Sequence, residues 1–413
     1  MPVRRPLDGM TRGRRAHMAT RYHLNTGPAY RRRACSGKCS PVVDRLSWDQ
    51  VRAWRLRRQH LVDRLPRQPG FDVVADVCGV HAQVQSSAEL QLWARVDGVR
   101  PADVRDALWR HRTLVRTWCM RGTLHLLTAA DLALYVAALR THDRWWKGAW
   151  LRTIGHTAAE LRAVLDAVRD SLDGEPVTRQ ELADRVGERV GPGGRQRLLS
   201  GWGEMLKPAA FAGALISGPP RGQQVTFVRP DTWLGGWTEP SAETAWREIV
   251  RRYLRGYGPA ARAEFGRWWG MQPAPAGRVL AASADELAEV DVAGYRGFVL
   301  AEDLPELRAT RPGAPPRLLP GFDVYVSGTR PRESLVEPRF ADRVFRTAGW
   351  VSPVVTVNGA ARGIWRHERG GAGLQVTVEP LRPLTAAHRR AVAAEADRLG
   401  DFLGAPATVS YSG

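Results

Sequence analysis

The stretch GVHAQVQSS, residues 79–87, places a histidine and two glutamines, His81, Gln83 and Gln85, in close succession. These side chains donate and accept hydrogen bonds without a fixed charge at neutral pH. Aimed at one point, they can hold a water for attack on a substrate, and the histidine can also accept that water's proton. Their structural use is to satisfy loose backbone groups where two helices end. In a regular helix His81 and Gln83 would point to nearly opposite sides, so a shared target requires the helix to stop here. Ser86 followed by Glu89 is a capping pair, which predicts a helix start at Ser86 and a junction over residues 81–85.

Other chemistries lack their parts. There is no GxxxxGK[ST] phosphate loop and no GxGxxG after a strand, and GPGGRQ at 191–196 reads as a turn before a helix. No HExxH, no clustered Asp/Glu set and no GxSxG elbow is present. The four cysteines, Cys35, Cys39, Cys78 and Cys119, are too scattered for a disulfide framework, and Cys35 and Cys39 have no second pair at zinc-binding spacing. An enzyme built on this chain is therefore expected to use neither metal nor cofactor.

The chain has 413 residues and a net charge of +19. Eleven Lys/Arg and two Asp/Glu fall within residues 1–45, so the body is basic even without this segment. A basic surface favours a polyanion, of which nucleic acid is the commonest; an arginine-rich composition alone is the other explanation. No apolar run has the length of a membrane span, and the N-terminus lacks the apolar core of a secretory signal, which predicts a cytoplasmic protein.

The elements that must position the polar cluster follow from periodicity. Residues 1–44 show no apolar pattern and read as a basic, disordered arm. From Leu46, LSWDQVRAWRLRRQHL is a helix with a Ser47/Gln50 capping pair, FDVVADVCGV continues as helix, and LVRTWCMRGTLHLL is a hairpin. Short helices before a hairpin describe a winged helix-turn-helix, here over 45–155. The pattern recurs over 156–238, with a Thr178/Glu181 capping box, a third helix GGRQRLLSGWGEMLKPAAFAG in the recognition position and a Gly/Pro/Arg wing tip. It recurs again over 239–312. Residues 313–413 turn β-rich, with Asn358-Gly359 as a type I′ turn and a late helix, and read as a small β-barrel. The predicted class is mainly α with β: three tandem winged helices plus a C-terminal barrel.

GVHAQVQSSAELQLWARV, RTWCMRGTLHLLTAADL, GPAARAEFGRWWG and LLPGFDVYVSG with VSPVVTVNGAARGIW together resemble the winged-helix DNA glycosylase superfamily of the AlkZ and YcaQ type. The resemblance runs from Leu46 to the C-terminus. It implies the same three winged helices and barrel, wrapped around DNA. The family's active-site motif is Gln-x-Gln, a little before LWAR. Counted back from Leu92-Trp93-Ala94-Arg95, it falls on His81-Ala82-Gln83, so the resemblance implies His81 in the place of the first Gln and Gln83 in the second role. Gln83-Val84-Gln85 is the literal match two residues too late, which leaves Gln85 as the fallback.

The implied reaction is monofunctional hydrolysis of the N-glycosidic bond of alkylated purines such as N7-alkylguanine, including bulky natural-product adducts or interstrand crosslinks, in repair or self-resistance. The partner is alkylation-damaged double-stranded DNA, met by a monomer in the nucleoid-containing cytoplasm. A purine alkylated at N7 is already a cationic leaving group, so no general acid is needed and the remaining task is to place a water beside C1′. Phosphate contacts are expected from Arg195 and Arg197 at the recognition helix, Arg221 at a wing tip, Arg121 in the MRGTLH hairpin, and Arg343 and Arg346 in RFADRVFR, where the family has a DNA-probing β-hairpin. His125 in that first hairpin reads as a half-buried strand residue. The competing readings are a non-enzymatic winged-helix transcription factor and a single-stranded RNA binder, the latter lacking an aromatic-studded sheet.

Overall fold

A computed structural model describes residues 44–67, 71–200, 203, 205–371 and 373–412. The expected basic arm, with Cys35 and Cys39, lies outside the described residues. The fold is mixed α/β: short helices surround several small sheets, and a larger sheet lies near the C-terminus.

The predicted helix over FDVVADVCGV lasts one turn, Val73–Asp76. Cys78 (φ 58°) and Gly79 (φ 90°) then turn the chain into the strand Val80–His81. A Cβ on Gly79 would stand 2.7 Å from the Leu127 side chain and 3.2 Å from the Leu126 carbonyl, so only glycine lets this strand lie against its neighbour. The strand pairs antiparallel with Leu124–Thr128, setting His81 opposite His125, and Leu114–Trp118 completes the predicted hairpin. The next helix is Gln85–Trp93, with Val84 as its N-cap. The expected Ser86/Glu89 box does not form: Ser86 lies inside the first turn, and Glu89 accepts from Gln85 Nε2 instead, at 3.2 Å.

Over 156–238 the capping box Thr178/Glu181 forms and opens Arg179–Val190. The single recognition helix expected next is two, Pro192–Leu199 and Leu206–Phe211. Extended backbone at Ser200 (ψ 137°) and positive φ at Gly203 break it. The hairpin Ile216–Arg221 and Gln224–Val228 follows as predicted. Over 239–312 stand the helices Ala242–Tyr257, Arg262–Trp269 and Pro273–Ala281, then the hairpin Leu287–Val292 and Tyr295–Leu300.

The capped helix Trp48–Arg58, expected with the first unit, packs on the third. Its Val51 and Trp54 bury against Val290, Val292, Val299 and Leu307, and the preceding strand Asp44–Leu46 adds a parallel edge to Leu287–Val292. The C-terminal region corrects another expectation. Its five strands run in the order Arg317–Leu319, Val354–Val357, Ala360–Gly370, Gly373–Pro380, Ala407–Tyr411, and the two edge strands do not pair, so the sheet is open rather than a closed barrel. The late helix Ala386–Leu403 packs beside it, and the Asn358-Gly359 turn has positive φ at both residues, as type I′ requires. No described helix is long and apolar enough to cross a membrane.

One buried ion pair ties the first unit to this C-terminal region. Arg95 donates to Asp323 through Nη1 (2.8 Å) and Nη2 (2.9 Å), with both side chains 0% exposed. Asp323 also accepts from the Tyr325 amide, and Gln91 bridges the His81 carbonyl (2.9 Å) to the Val324 amide (3.2 Å). Removing one member would strand a charge without solvent, which costs about 3–5 kcal/mol. Arg95→Met is therefore expected to lower unfolding free energy by that amount in urea titration. The double variant R95M/D323L is expected to recover part of the loss, which a pair of independent surface contacts would not allow.

Candidate active site

His81 ends its short strand, is 9% exposed, and has its Nδ1 buried without a hydrogen-bond partner. The ring stacks on Phe322 at 5.0 Å and 17°, and meets His125 edge-on at 5.5 Å. Burial, and secondarily the Arg121 charge, push the His81 imidazole down to about 4, so it is neutral at pH 7. His125 is fully buried rather than half-buried, and burial holds it well below the usual histidine range. Its Nδ1–H donates to the Thr123 carbonyl at 2.9 Å, which leaves Nε2 facing Arg121 Nη2 at 3.4 Å.

Arg121 sits at a left-handed turn (φ 60°) and donates to the Trp268 carbonyl. Gly270, just after Trp268, lies so close that a Cβ there would be 2.9 Å from the Arg121 Cα. The guanidinium, read from sequence as a phosphate contact, thus faces the same cavity as His81 from between the first and third units. Gln83 stands apart from this cavity. It is exposed, and its Oε1 accepts from the Leu124 amide at 3.4 Å. Gln85 is engaged with Glu89.

The cavity beside His81 has a volume of about 290 Å³, at the lower end of small-molecule sites. Four segments far apart in sequence enclose it: Arg121 and Thr123; Glu264, Arg267 and Trp268; residues 322–332; and residues 345–351. Arg121, Arg267, Arg330 and Arg332 make its wall basic, and none of the four is ion-paired among the described residues. Arg332 lies over the Phe345 ring at 4.0 Å. Trp350 at the rim is 56% exposed and packs on Phe322 at 5.0 Å, so an aromatic series runs from His81 outward to solvent.

Phe322, Trp350, Glu264, Arg330 and Arg332 escaped the sequence reading. PGFDVYVSG, within the region expected to be β-rich, is instead a turn followed by the helix Val324–Gly328, with Phe322 at φ 61°. The signal was an aspartate inside an apolar run, two residues after Pro-Gly. RFADRVFR is likewise a turn and the short helix Ala341–Val344, and the small bridged turn, Phe345 to Val351, begins at its end.

The remaining predicted phosphate contacts lie away from the cavity or at its edge. Arg195 pairs with Asp184 at 2.6 Å, Arg221 with Glu181 at 2.7 Å, and Arg343 with Glu379. Arg197 belongs to the helix Pro192–Leu199, and Arg346 is exposed beside the bridged turn. Exposed ion pairs are worth only ~0–1 kcal/mol, so these pairings leave the arginines able to exchange a carboxylate for a phosphate. Among the described residues no His, Cys, Asp or Glu group could hold a metal ion.

Comparison with known proteins agrees with this architecture. The family model of AlkZ-like DNA glycosylases matches residues 74–402. An interstrand DNA cross-link repair glycosylase of Streptomyces sahachiroi is 39% identical over 330 residues, which is 77% of this chain and 87% of that protein. The solved structure of the Streptomyces sahachiroi DNA glycosylase AlkZ superposes with a TM-score of 0.80 at 35% identity, over 89% of this chain and 100% of the other. These relationships set aside the two non-enzymatic readings: the chain belongs to the AlkZ-like DNA glycosylase family.

Proposed function

We propose that this DNA glycosylase hydrolyses the N-glycosidic bond of alkylated purines, N7-alkylguanine among them, and unhooks interstrand crosslinks, with His81 positioning the attacking water. The observation that carries this reading is a neutral, nine-tenths buried imidazole on the wall of a basic cavity. The cross-link repair activity of the Streptomyces sahachiroi relative supports the substrate class.

In this reading the three helix-and-hairpin units act as winged helices on double-stranded DNA. Arg195, Arg197, Arg221, Arg343 and Arg346 meet phosphates, and the enzyme acts as a monomer without metal or cofactor. The C1′–N9 bond breaks with its electron pair moving to the purine, cancelling the positive charge that N7 alkylation imposed. Cationic character passes to the sugar. A water held by the His81 imidazole bonds to C1′ and gives up one proton. His81, so weakly basic, orients the water and passes that proton on to solvent rather than retaining it. Gln83, exposed two residues beyond the strand and outside the cavity, contributes its amide to the DNA beside the site.

His81→Ala is expected to lower kcat on an N7-methylguanine duplex by roughly 10²–10⁴-fold, the range for a residue that activates or positions the nucleophile. Gln83→Ala is expected to lose about tenfold, half the effect or less in free-energy terms. Abasic sites cleaved with alkali give the readout. If both variants release the base at the wild-type rate, the assignment fails.

The pH dependence tests the neutrality of the imidazole. A folded-state pKa of about 4 lies below the unfolded value near 6.5. The unfolded chain therefore takes up a proton that the folded protein refuses, and the contribution of the neutral ring is complete above pH ~6.5 and declines as pH falls toward 4. In the free protein the His81 ring is expected to show no NMR titration step between pH 5.5 and 8. A step near 6.5 would contradict the burial argument.

A further inference from the structure

Glu264 contributes a carboxylate to a cavity wall otherwise marked by arginines. It is the third residue of the helix Arg262–Trp269, whose N-cap is Ala261. An acid at this position ordinarily turns back to accept the N-cap amide. Here the Tyr295 hydroxyl takes that amide, at 3.0 Å from the Ala261 nitrogen, and donates its own proton to Glu264 Oε2 at 3.1 Å. Burial and the Glu264 charge hold the Tyr295 phenol in its protonated, donating form. The phenol thus does the capping and leaves the carboxylate half-buried and facing the cavity. Arg267 stands one turn along the same helix, and Arg121, Arg330 and Arg332 share the wall, yet Glu264 makes no ion pair among the described residues.

A carboxylate that neither caps its helix nor neutralises an arginine, in a cavity where a cation would form, has an electrostatic use. We infer that Glu264 faces the sugar and stabilises the positive charge that develops at C1′ as the purine departs. The inference rests on the hydrolytic reading above, in which His81 handles the water. Glu264 forms no bond and moves no proton. As the C1′–N9 electron pair leaves with the base, the carboxylate offsets the charge left on the ring oxygen and C1′, an interaction stronger in the transition state than in the ground state.

The test uses duplexes that cannot be cleaved. One carries a pyrrolidine abasic analogue, cationic at neutral pH where the sugar charge would be, and the other carries the neutral tetrahydrofuran analogue. The wild-type enzyme is expected to bind the cationic duplex more tightly, and Glu264→Gln, which still accepts the Tyr295 proton, to lower that preference by tenfold or more. Glu264→Asp is expected to restore most of it. On an N7-methylguanine duplex E264Q should lower kcat by about 10²–10³-fold with little change in KM. A wild-type enzyme with no preference for the cation, or an E264Q variant whose preference matches wild type whatever its kcat, would overturn the inference. Loss of thermal stability in E264Q shifts the reading to E264D, for which a preference as low as that of a neutral side chain is equally fatal. Because neither duplex is cleaved, failure here leaves the role of His81 untouched, whereas unchanged base release by H81A and Q83A would overturn the hydrolytic reading itself.

Discussion

The Arg95–Asp323 pair is the constraint on which the site depends. Two fully buried charges are tolerable only because each finds its partner in two-point geometry with further hydrogen bonds around it. The residues flanking this pair carry the consequence. Gln91, one turn before Arg95, grips the His81 carbonyl, and Phe322, the neighbour of Asp323, is forced into a left-handed conformation that lays its ring on His81. Ser87 adds a bond to the Gly321 carbonyl. A contact between residues 228 positions apart thereby fixes an imidazole that belongs to a two-residue strand.

The cavity combines requirements that oppose each other. DNA brings phosphates, which call for the arginines on the wall, while the hydrolysis proposed above develops positive charge that the same arginines disfavour. Distance and direction reconcile the two. Arg121 spends one of its donors on the Trp268 carbonyl and lies beside His125, and Arg332 lies over the Phe345 ring. Non-glycine residues in left-handed backbone, Arg121, Phe322 and Ala348, stand in or next to the wall. Such conformations cost ~1–3 kcal/mol each and persist where surrounding structure enforces them.

Local signals were legible in the sequence, and long-range ones were not. The Ser47/Gln50 and Thr178/Glu181 boxes and the Asn358-Gly359 turn form because each is decided within four residues. Ser86/Glu89 looked the same and failed, because the helix had already begun at Gln85 and Ser87 turned to Gly321. Helix Trp48–Arg58 was recognised, but nothing in its periodicity told that its apolar face would meet Val290 and Val299. Strand composition likewise could not say whether the C-terminal strands close on themselves, since closure depends on stagger between edges. His81 was found by its distance in sequence from Leu92-Trp93-Ala94-Arg95. Phe322, Glu264 and Arg330 were not, because only tertiary contact brings them to it.

The histidine at position 81 stands where the resemblance to the family implies a glutamine, and the physical environment explains why the exchange is tolerable. In water the two side chains differ in charge below pH ~6.5. Inside this cavity, burial against Phe322 and His125 strips the imidazole of most of its basicity. What remains is an uncharged planar group that carries both a hydrogen-bond donor and an acceptor, as a carboxamide does. The ring differs in shape and stiffness rather than in charge. It gains stacking on Phe322 that an amide would lack, and through Phe322 it is continuous with the exposed Trp350. In the proposed role of water-positioning group, the ring therefore has its orientation set by an aromatic series that reaches solvent.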